Sequence, residues 1–221
     1  MQALTKDGRP IAAAALNAGV GVYGRFDETR LDDQLRLVAL NVASCVHLAH
    51  GILGRMVAEG GGRLLVTSSV ASQMPGPNYS TYAASKSFLQ SFAEAVRREL
   101  TDTGVTVTAL LPGPTDTDFF ERADMQDTRV GSTDKDDPAD VARSGFDALM
   151  AGKDQGVAGS VMNKAQVAAG KLVPDWLKAR IHEGMTAPTD DWARTRRCET
   201  GPSRWPGRAY ARTTYARTLY G

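Results

Sequence analysis

Four short apolar runs punctuate the chain at wide intervals: IAAAAL (11–16), GRLLVTSS (62–69), VTVTALL (105–111) and GVAGSVM (156–162). Each is too short for a helix, which marks strands. Between them, apolar positions recur at helical spacing. Over 31–59 they fall at Leu35, Val38, Val42, Val46 and Ala49, and EGGGR closes the segment. Over 79–103 they fall at Leu89, Phe92, Ala93, Val96 and Leu100, with Gly104 placed as a stop. DDPADVARSGFDALMAGK predicts a third helix, with Asp137 as N-cap, Pro138 at the first helical position and Gly152 at its end. Strands and helices alternating at this interval predict an α/β fold: a doubly wound parallel sheet in three layers. The first two strands are largely continuous apolar runs, as burial on both faces requires.

The rhythm stops near Pro188. Beyond it the sequence is rich in Arg and Thr and has no apolar period, which divides the chain into a folded domain, 1–187, and a disordered tail, 188–221. Trp205, Tyr210, Tyr215 and Tyr220 among the tail's arginines are the one feature suited to nucleic acid; a shifted reading frame would also produce such a tail. Elsewhere the composition is that of an ordinary globular chain: 221 residues, 42% hydrophobic, 23% charged, net charge +1. That balance gives no basic surface for nucleic acid. Two cysteines, Cys45 and Cys198, make no disulfide framework, and Cys45 reads as core. The apolar run at 11–16 falls short of a signal peptide, and no run approaches the ~20 apolar residues of a membrane span. A soluble cytoplasmic protein without a membrane or metal partner is the expectation. His47 and His50, three apart on a helix without an acidic third ligand, read as packing or capping residues. The carboxylates of STDKDDPAD read as a solvated turn and a helix cap.

Two stretches raise chemical questions. ALNAGVGVYGRF places Gly19, Gly21 and Gly24 in the G-x-G-x-x-G spelling of a dinucleotide-binding loop. That loop needs a helix opening on its last glycine and an acidic residue about 20 positions on, at the end of a second strand. Polar RFDETRLDDQ follows instead, so the spelling alone is a poor fit. In VTSSVASQMPGPNYSTYAASKSF, Tyr82 and Lys86 stand four apart in a helical segment and share a face. A phenol near pKa 10 is a poor acid or base at neutral pH, and a nearby ammonium favours its ionised form. Ser69 ends the preceding strand at the sheet edge where open α/β folds place ligands, within reach of the same substrate oxygen. Tyr, Ser and Lys are common residues, and it is the strand-end serine in an α/β order that favours a site over surface decoration.

These residues resemble the motifs of the short-chain dehydrogenase/reductase family over 11–187. TYAASK matches its Y-x-x-x-K motif at Tyr82 and Lys86, and Ser69 falls at its catalytic serine. Asn41 in LNVAS matches the helix asparagine whose backbone carbonyl is thought to hold a relay water. LLPGPTDT matches the P-G segment: Pro112, Gly113 and Thr115 would face the nicotinamide end, with Thr117 near the carboxamide or phosphates. LNAG matches N-N-A-G with Leu16 replacing the first asparagine. Asn17, Ala18 and Gly19 would then border the adenine half, and the G-x-G-x-x-G spelling is coincidental. DFFERADM follows where relatives carry a substrate lid, so Phe119 and Phe120 are either substrate contacts or core.

The resemblance implies a Rossmann-like fold and an NAD- or NADP-dependent oxidoreductase acting on a hydroxyl or carbonyl of a small, apolar substrate. Tyr82 would be the general acid/base, with Lys86 lowering its pKa and fixing the ribose. Ser69 would hold the substrate oxygen, and Asn41 would support the relay. Relatives associate through the helices matching 35–59 and 79–103, which implies a homodimer or homotetramer. The family also carries a T-G-x-x-x-G-x-G turn and two strand–helix units before N-N-A-G. Each takes ~30 residues, and MQALTKDGRPIAAAAL does not hold them. The pyrophosphate-binding helix end and the residue that separates NAD from NADP would be missing, leaving an open apolar sheet edge. The rival implication is a cofactor-free truncated relative, serving as a binding subunit or surviving as a remnant.

Overall fold

Four parallel strands form one sheet in chain order: β1 (Ala13–Leu16), β2 (Gly62–Thr67), β3 (Val105–Pro112) and β4 (Gln155–Ala158). The computed structural model describes residues 9–159 and 174–187. The end of the fourth predicted strand and the Arg/Thr-rich tail lie outside the described residues. Between β1 and β2 run α1 (Leu31–Val38), a π-helical turn (Ala39–Ala43) and α2 (Ser44–Ala58), one continuous helix over Leu31–Ala58. Helix α3 (Ser80–Glu99) joins β2 to β3, and α4 (Phe119–Arg122) and α5 (Pro138–Met150) precede β4. Helix α6 (Asp175–Thr186) had no counterpart in the sequence reading.

The layers follow from strand alternation. Leu64 and Val66 of β2 and Val105, Val107, Ala109 and Leu111 of β3 pack under Ala49, Ile52 and Met56 of α2 and Leu89 and Ala93 of α3. The intervening Leu65 and Leu110 point the other way and meet Val141 and Leu149 of α5. Helices therefore cover both faces, as predicted. The predicted caps are present too: the Asp137 carboxylate accepts from the Ala139 N–H at 2.6 Å. Gly104 ends the α3 connection at φ +72°, where a Cβ would stand 2.6 Å from the Gly60 carbonyl oxygen.

Several expectations are corrected. The run at 11–16 is not buried on both faces: Ala13 and Ala15 are exposed and Ala14 and Leu16 half-buried. Among the described residues β1 pairs only with β2, and α5 does not reach its second face. In the long helix, the buried stripe is Gln34, Leu37, Asn41, Cys45, Ala49, Ile52, Leu53 and Met56. Leu35, Val38 and Val46, expected on the core side, are each more than a third exposed. The helix is apolar on two faces, so its period alone picked the wrong one. For the same reason Leu31–Ala58 is long and apolar enough, by length and composition, to cross a membrane, contrary to the sequence reading; its inner stripe packs on the sheet as a core helix does. His47 and His50 are exposed rather than packed. In α3 the predicted stripe is correct, with Leu89 and Ala93 buried and Phe92, Val96 and Leu100 against the core.

Candidate active site

The C-terminal ends of β2 and β3 and the first turns of α3 border a cleft of about 1140 Å³. The strand ends and helix turns that build it leave polar side chains facing inward at the sheet edge. Asn17, Gly19, Ser69, Tyr82, Lys86, Pro112, Gly113, Thr115, Thr117, Phe119 and Phe120 all line the cleft. Two predicted site residues do not. Ala18 is exposed outside it, and Asn41 lies fully buried beneath it.

Tyr82 and Lys86 follow one another along the inner face of α3, whose apolar stripe continues below them. The Ser69 side chain, just beyond the end of β2, lines the cleft beside the Tyr82 phenol and acts to lower its pKa. Ser69 Oγ also accepts from the Ala71 N–H at 3.1 Å, which fixes it at the start of a short 3₁₀ turn. The neighbouring Ser68 turns inward, and its hydroxyl donates to the Lys86 carbonyl at 2.7 Å, tying β2 to α3. Lys86 Nζ donates to the Thr67 carbonyl at 2.9 Å and lies 5.7 Å from the centre of the Tyr82 ring. Beside it Thr67 Oγ1 is buried with no hydrogen-bond partner.

The electrostatics differ from the sequence reading. Burial pushes the Tyr82 phenol up to about 12, and the nearby Ser69 hydroxyl offsets only part of this. Burial also brings Lys86 down to about 8. In the chain by itself Lys86 therefore does not lower the Tyr82 pKa: its ammonium is committed to a carbonyl and sits over the ring rather than at the hydroxyl. At neutral pH the phenol keeps its proton and the lysine its charge.

Asn41 is the hub below the site. Its Nδ2 donates to the Val20 carbonyl at 3.0 Å and lies 3.0 Å from Ser85 Oγ, and its Oδ1 accepts from the Val20 N–H at 2.9 Å. One side chain thus joins the loop after β1 to α3. It stands in the π-helical turn, where the Ser44 N–H bonds back to the Ala39 carbonyl and the regular ladder is interrupted.

Two glycines after β1 allow close approach. A Cβ on Gly19 would come within 3.3 Å of Lys86 Nζ, and one on Gly21 within 2.8 Å of the Phe119 ring. The next helix begins at Leu31, well past Gly24, so no helix opens on this loop. Phe119 and Phe120 meet edge to face at 5.6 Å but differ in setting: the Phe119 ring lies 5.1 Å from that of Tyr82, whereas Phe120 is buried with Ala123 and Met125. Sequence reasoning missed Tyr79 and His182. Tyr79 is buried beside Tyr82, and its hydroxyl is hydrogen-bonded to His182 Nε2 of α6. Nothing in a 103-residue separation signals that pair.

A family model described as short chain dehydrogenase matches residues 1–128. The chain is similar to the cyclic-di-GMP-binding biofilm dispersal mediator protein of Escherichia coli, 39% identical over 103 residues, covering 47% of this chain and 43% of that one. It is 31% identical over 139 residues to dehydrogenase/reductase SDR family member 7B of Rattus norvegicus, covering 60% of this chain and 43% of the relative. It thus spans less than half the length of these curated relatives. Among solved structures, a short-chain dehydrogenase from Sphingobium yanoikuyae in complex with NADPH shares the fold, with a TM-score of 0.64, 23% identity, and coverage of 73% of this chain and 63% of that one.

Proposed function

The chain belongs to the short-chain dehydrogenase family, and from that premise we propose that its cleft serves nicotinamide-dependent oxidoreduction of a hydroxyl or carbonyl carbon. The observation that carries this reading is the convergence of Ser69, Tyr82 and Lys86 at one sheet edge. Tyr82, protonated at neutral pH, suits proton donation to a carbonyl oxygen; Ser69, beside it in the cleft, would orient that oxygen. Asn41 holds the loop after β1 against α3, and its π-turn setting suits the relay role given to its carbonyl.

The nicotinamide end of a cofactor fits the residues present. The orphaned Thr67 Oγ1 and the Lys86 ammonium offer polar groups where the ribose and ring would lie. Pro112, Gly113, Thr115 and Thr117 complete that wall, and Asn17 and Gly19, expected beside the adenine half, line the same cleft. When bound, the nicotinamide supplies or takes the hydride. The Phe119 ring and the apolar side chains near it favour a small, apolar substrate. The compartment we propose is the cytoplasm. Association between copies would use the outer apolar face of the Leu31–Ala58 helix, where Leu31 is 63% exposed, beside Phe88 of α3.

A second reading, binding without turnover, has one observation behind it: among the described residues no glycine loop opens a helix that would hold a pyrophosphate. Calorimetric titration of the folded chain with NADPH and then NADH separates the two. Micromolar binding followed by turnover of a ketone supports the oxidoreductase; a folded chain that binds neither supports the second reading.

A further inference from the structure

Helix α6 contributes nothing to the chemistry described above, yet Ile181, Gly184 and Met185 form one wall of the cleft. Its seat is polar. The Tyr79 ring is 6% exposed, and a phenol so buried needs a partner for its hydroxyl. That partner is His182 Nε2. On its other side, His182 Nδ1 lies 2.8 Å from the Pro75 carbonyl oxygen, which can only accept. Nδ1 therefore carries a proton, and in the neutral imidazole that burial favours, Nε2 accepts from the Tyr79 O–H. The two rings meet edge to face at 5.2 Å.

Other contacts fasten the end of the helix. Thr186 Oγ1 donates toward the Pro77 carbonyl at 3.1 Å, and the Tyr23 hydroxyl donates to the Thr186 carbonyl at 2.7 Å. The Val130 N–H donates to the Met185 carbonyl at 3.0 Å. The His182 ring reaches the residue that packs on Tyr82, whose ring lies 5.8 Å from that of Tyr79.

We propose that Tyr79 and His182 form a latch that seats α6 as the substrate-side wall of the cleft, so that His182 is a specificity-determining positioning residue. The wall's use by a substrate rests on the oxidoreductase reading; the latch itself does not. Apolar Ile181 and Met185 would lie against the body of the substrate while Tyr82 and Ser69 hold its oxygen. Removing the latch loosens the wall and weakens binding without removing a reacting group.

Hydrogen–deuterium exchange of the full chain at pH 7.5 tests the latch, with Tyr79→Phe, His182→Ala and His182→Gln beside the parent. Loss of one buried hydrogen bond predicts about tenfold faster exchange over 177–187 in Tyr79→Phe and His182→Ala, with α5 unchanged. The amide of His182→Gln retains a donor and an acceptor and should restore most of the protection. If α5 also loses protection in His182→Ala, Tyr79→Phe, which removes one oxygen, decides alone. Unchanged exchange over 177–187 in Tyr79→Phe overturns the latch. With NADPH and a ketone, Tyr79→Phe should raise KM about fivefold and leave kcat within about twofold. A fall in kcat at constant KM would overturn the role as a wall. Should Tyr82→Phe retain full turnover, the catalytic reading fails while the exchange result still decides the latch.

Discussion

Helix α3 and the long helix Leu31–Ala58 meet on the same face of the sheet, joined by the Asn41 Nδ2 to Ser85 Oγ contact, but they spend their surfaces differently. Helix α3 has one apolar stripe; toward its N-terminus that stripe gives way to Lys86 and Tyr82, the groups that face the cleft. The long helix has one stripe in the core and a second, of Leu35, Val38 and Val46, in the open. Apart from the exposed Phe88, helix α3 spends its apolar residues in its own fold. A helix with two apolar faces has one left over, open to the association proposed above.

If α3 is the chemical helix, Tyr82→Phe should break function alone. Removing the proton-transfer group predicts a loss of turnover of about 10²–10⁴-fold. Urea melts should place its stability within about 0.5 kcal/mol of the parent, because the ring keeps its packing. A Phe variant with full turnover would end the comparison.

The inner stripe of the long helix should respond in the opposite sense. Met56 is fully buried against the sheet. Met56→Ala predicts a loss of about 2–5 kcal/mol from transfer and cavity terms, measured by urea unfolding. Asn41→Ala should follow at about 1–3 kcal/mol, since it strands the Val20 N–H and carbonyl at a buried site. Its mark would be faster amide exchange over 17–21, which a loss spread evenly through the core would not produce.

The seat of α6 before α3 adds a pH test. Burial holds His182 below its ordinary value, with the Pro75 carbonyl opposing, and the titratable groups facing it are Tyr79 and, behind that ring, Tyr82. The unfolded imidazole binds its proton near pH 6.5 and the folded one at lower pH. The contribution of neutral His182 is therefore complete above about 6.5 and is lost as pH falls toward the folded value. Exchange over 177–187 should accelerate on acidification relative to α5, and His182→Gln should remove that dependence.

Much of this was legible because local patterns carried it. Strand runs, the Asp137 cap and the Tyr82–Lys86 spacing are short-range features whose geometry the backbone dictates. The identity of the buried face of the long helix was not, because both faces are apolar and the buried one includes Gln34 and Asn41. A hydrophobic period cannot find a stripe that is partly polar. The direction of the Tyr82 pKa was hidden for another reason: spacing brings Lys86 near the ring, but only the fold sends its ammonium to the Thr67 carbonyl. The Tyr79–His182 pair needs the whole chain folded before it exists.

A last pair of substitutions tests the comparison most directly. Leu35 and Val46 are each 37% exposed, so about two thirds of each is covered within the protomer, and Leu35→Gln with Val46→Gln removes some apolar burial. Folding stability of the monomer should fall by about 1–2 kcal/mol, less than for Met56→Ala, measured by urea unfolding. The outer face nevertheless presents Leu31, Leu35, Val38 and Val46 at helical spacing rather than scattered, a row suited to the proposed association. Sedimentation of the parent should give a mass above that of one chain, and the double variant should return it to one. A monomeric parent would assign the outer face to some other protein. A variant that stays associated would move the interface off this helix and leave its second stripe without a purpose.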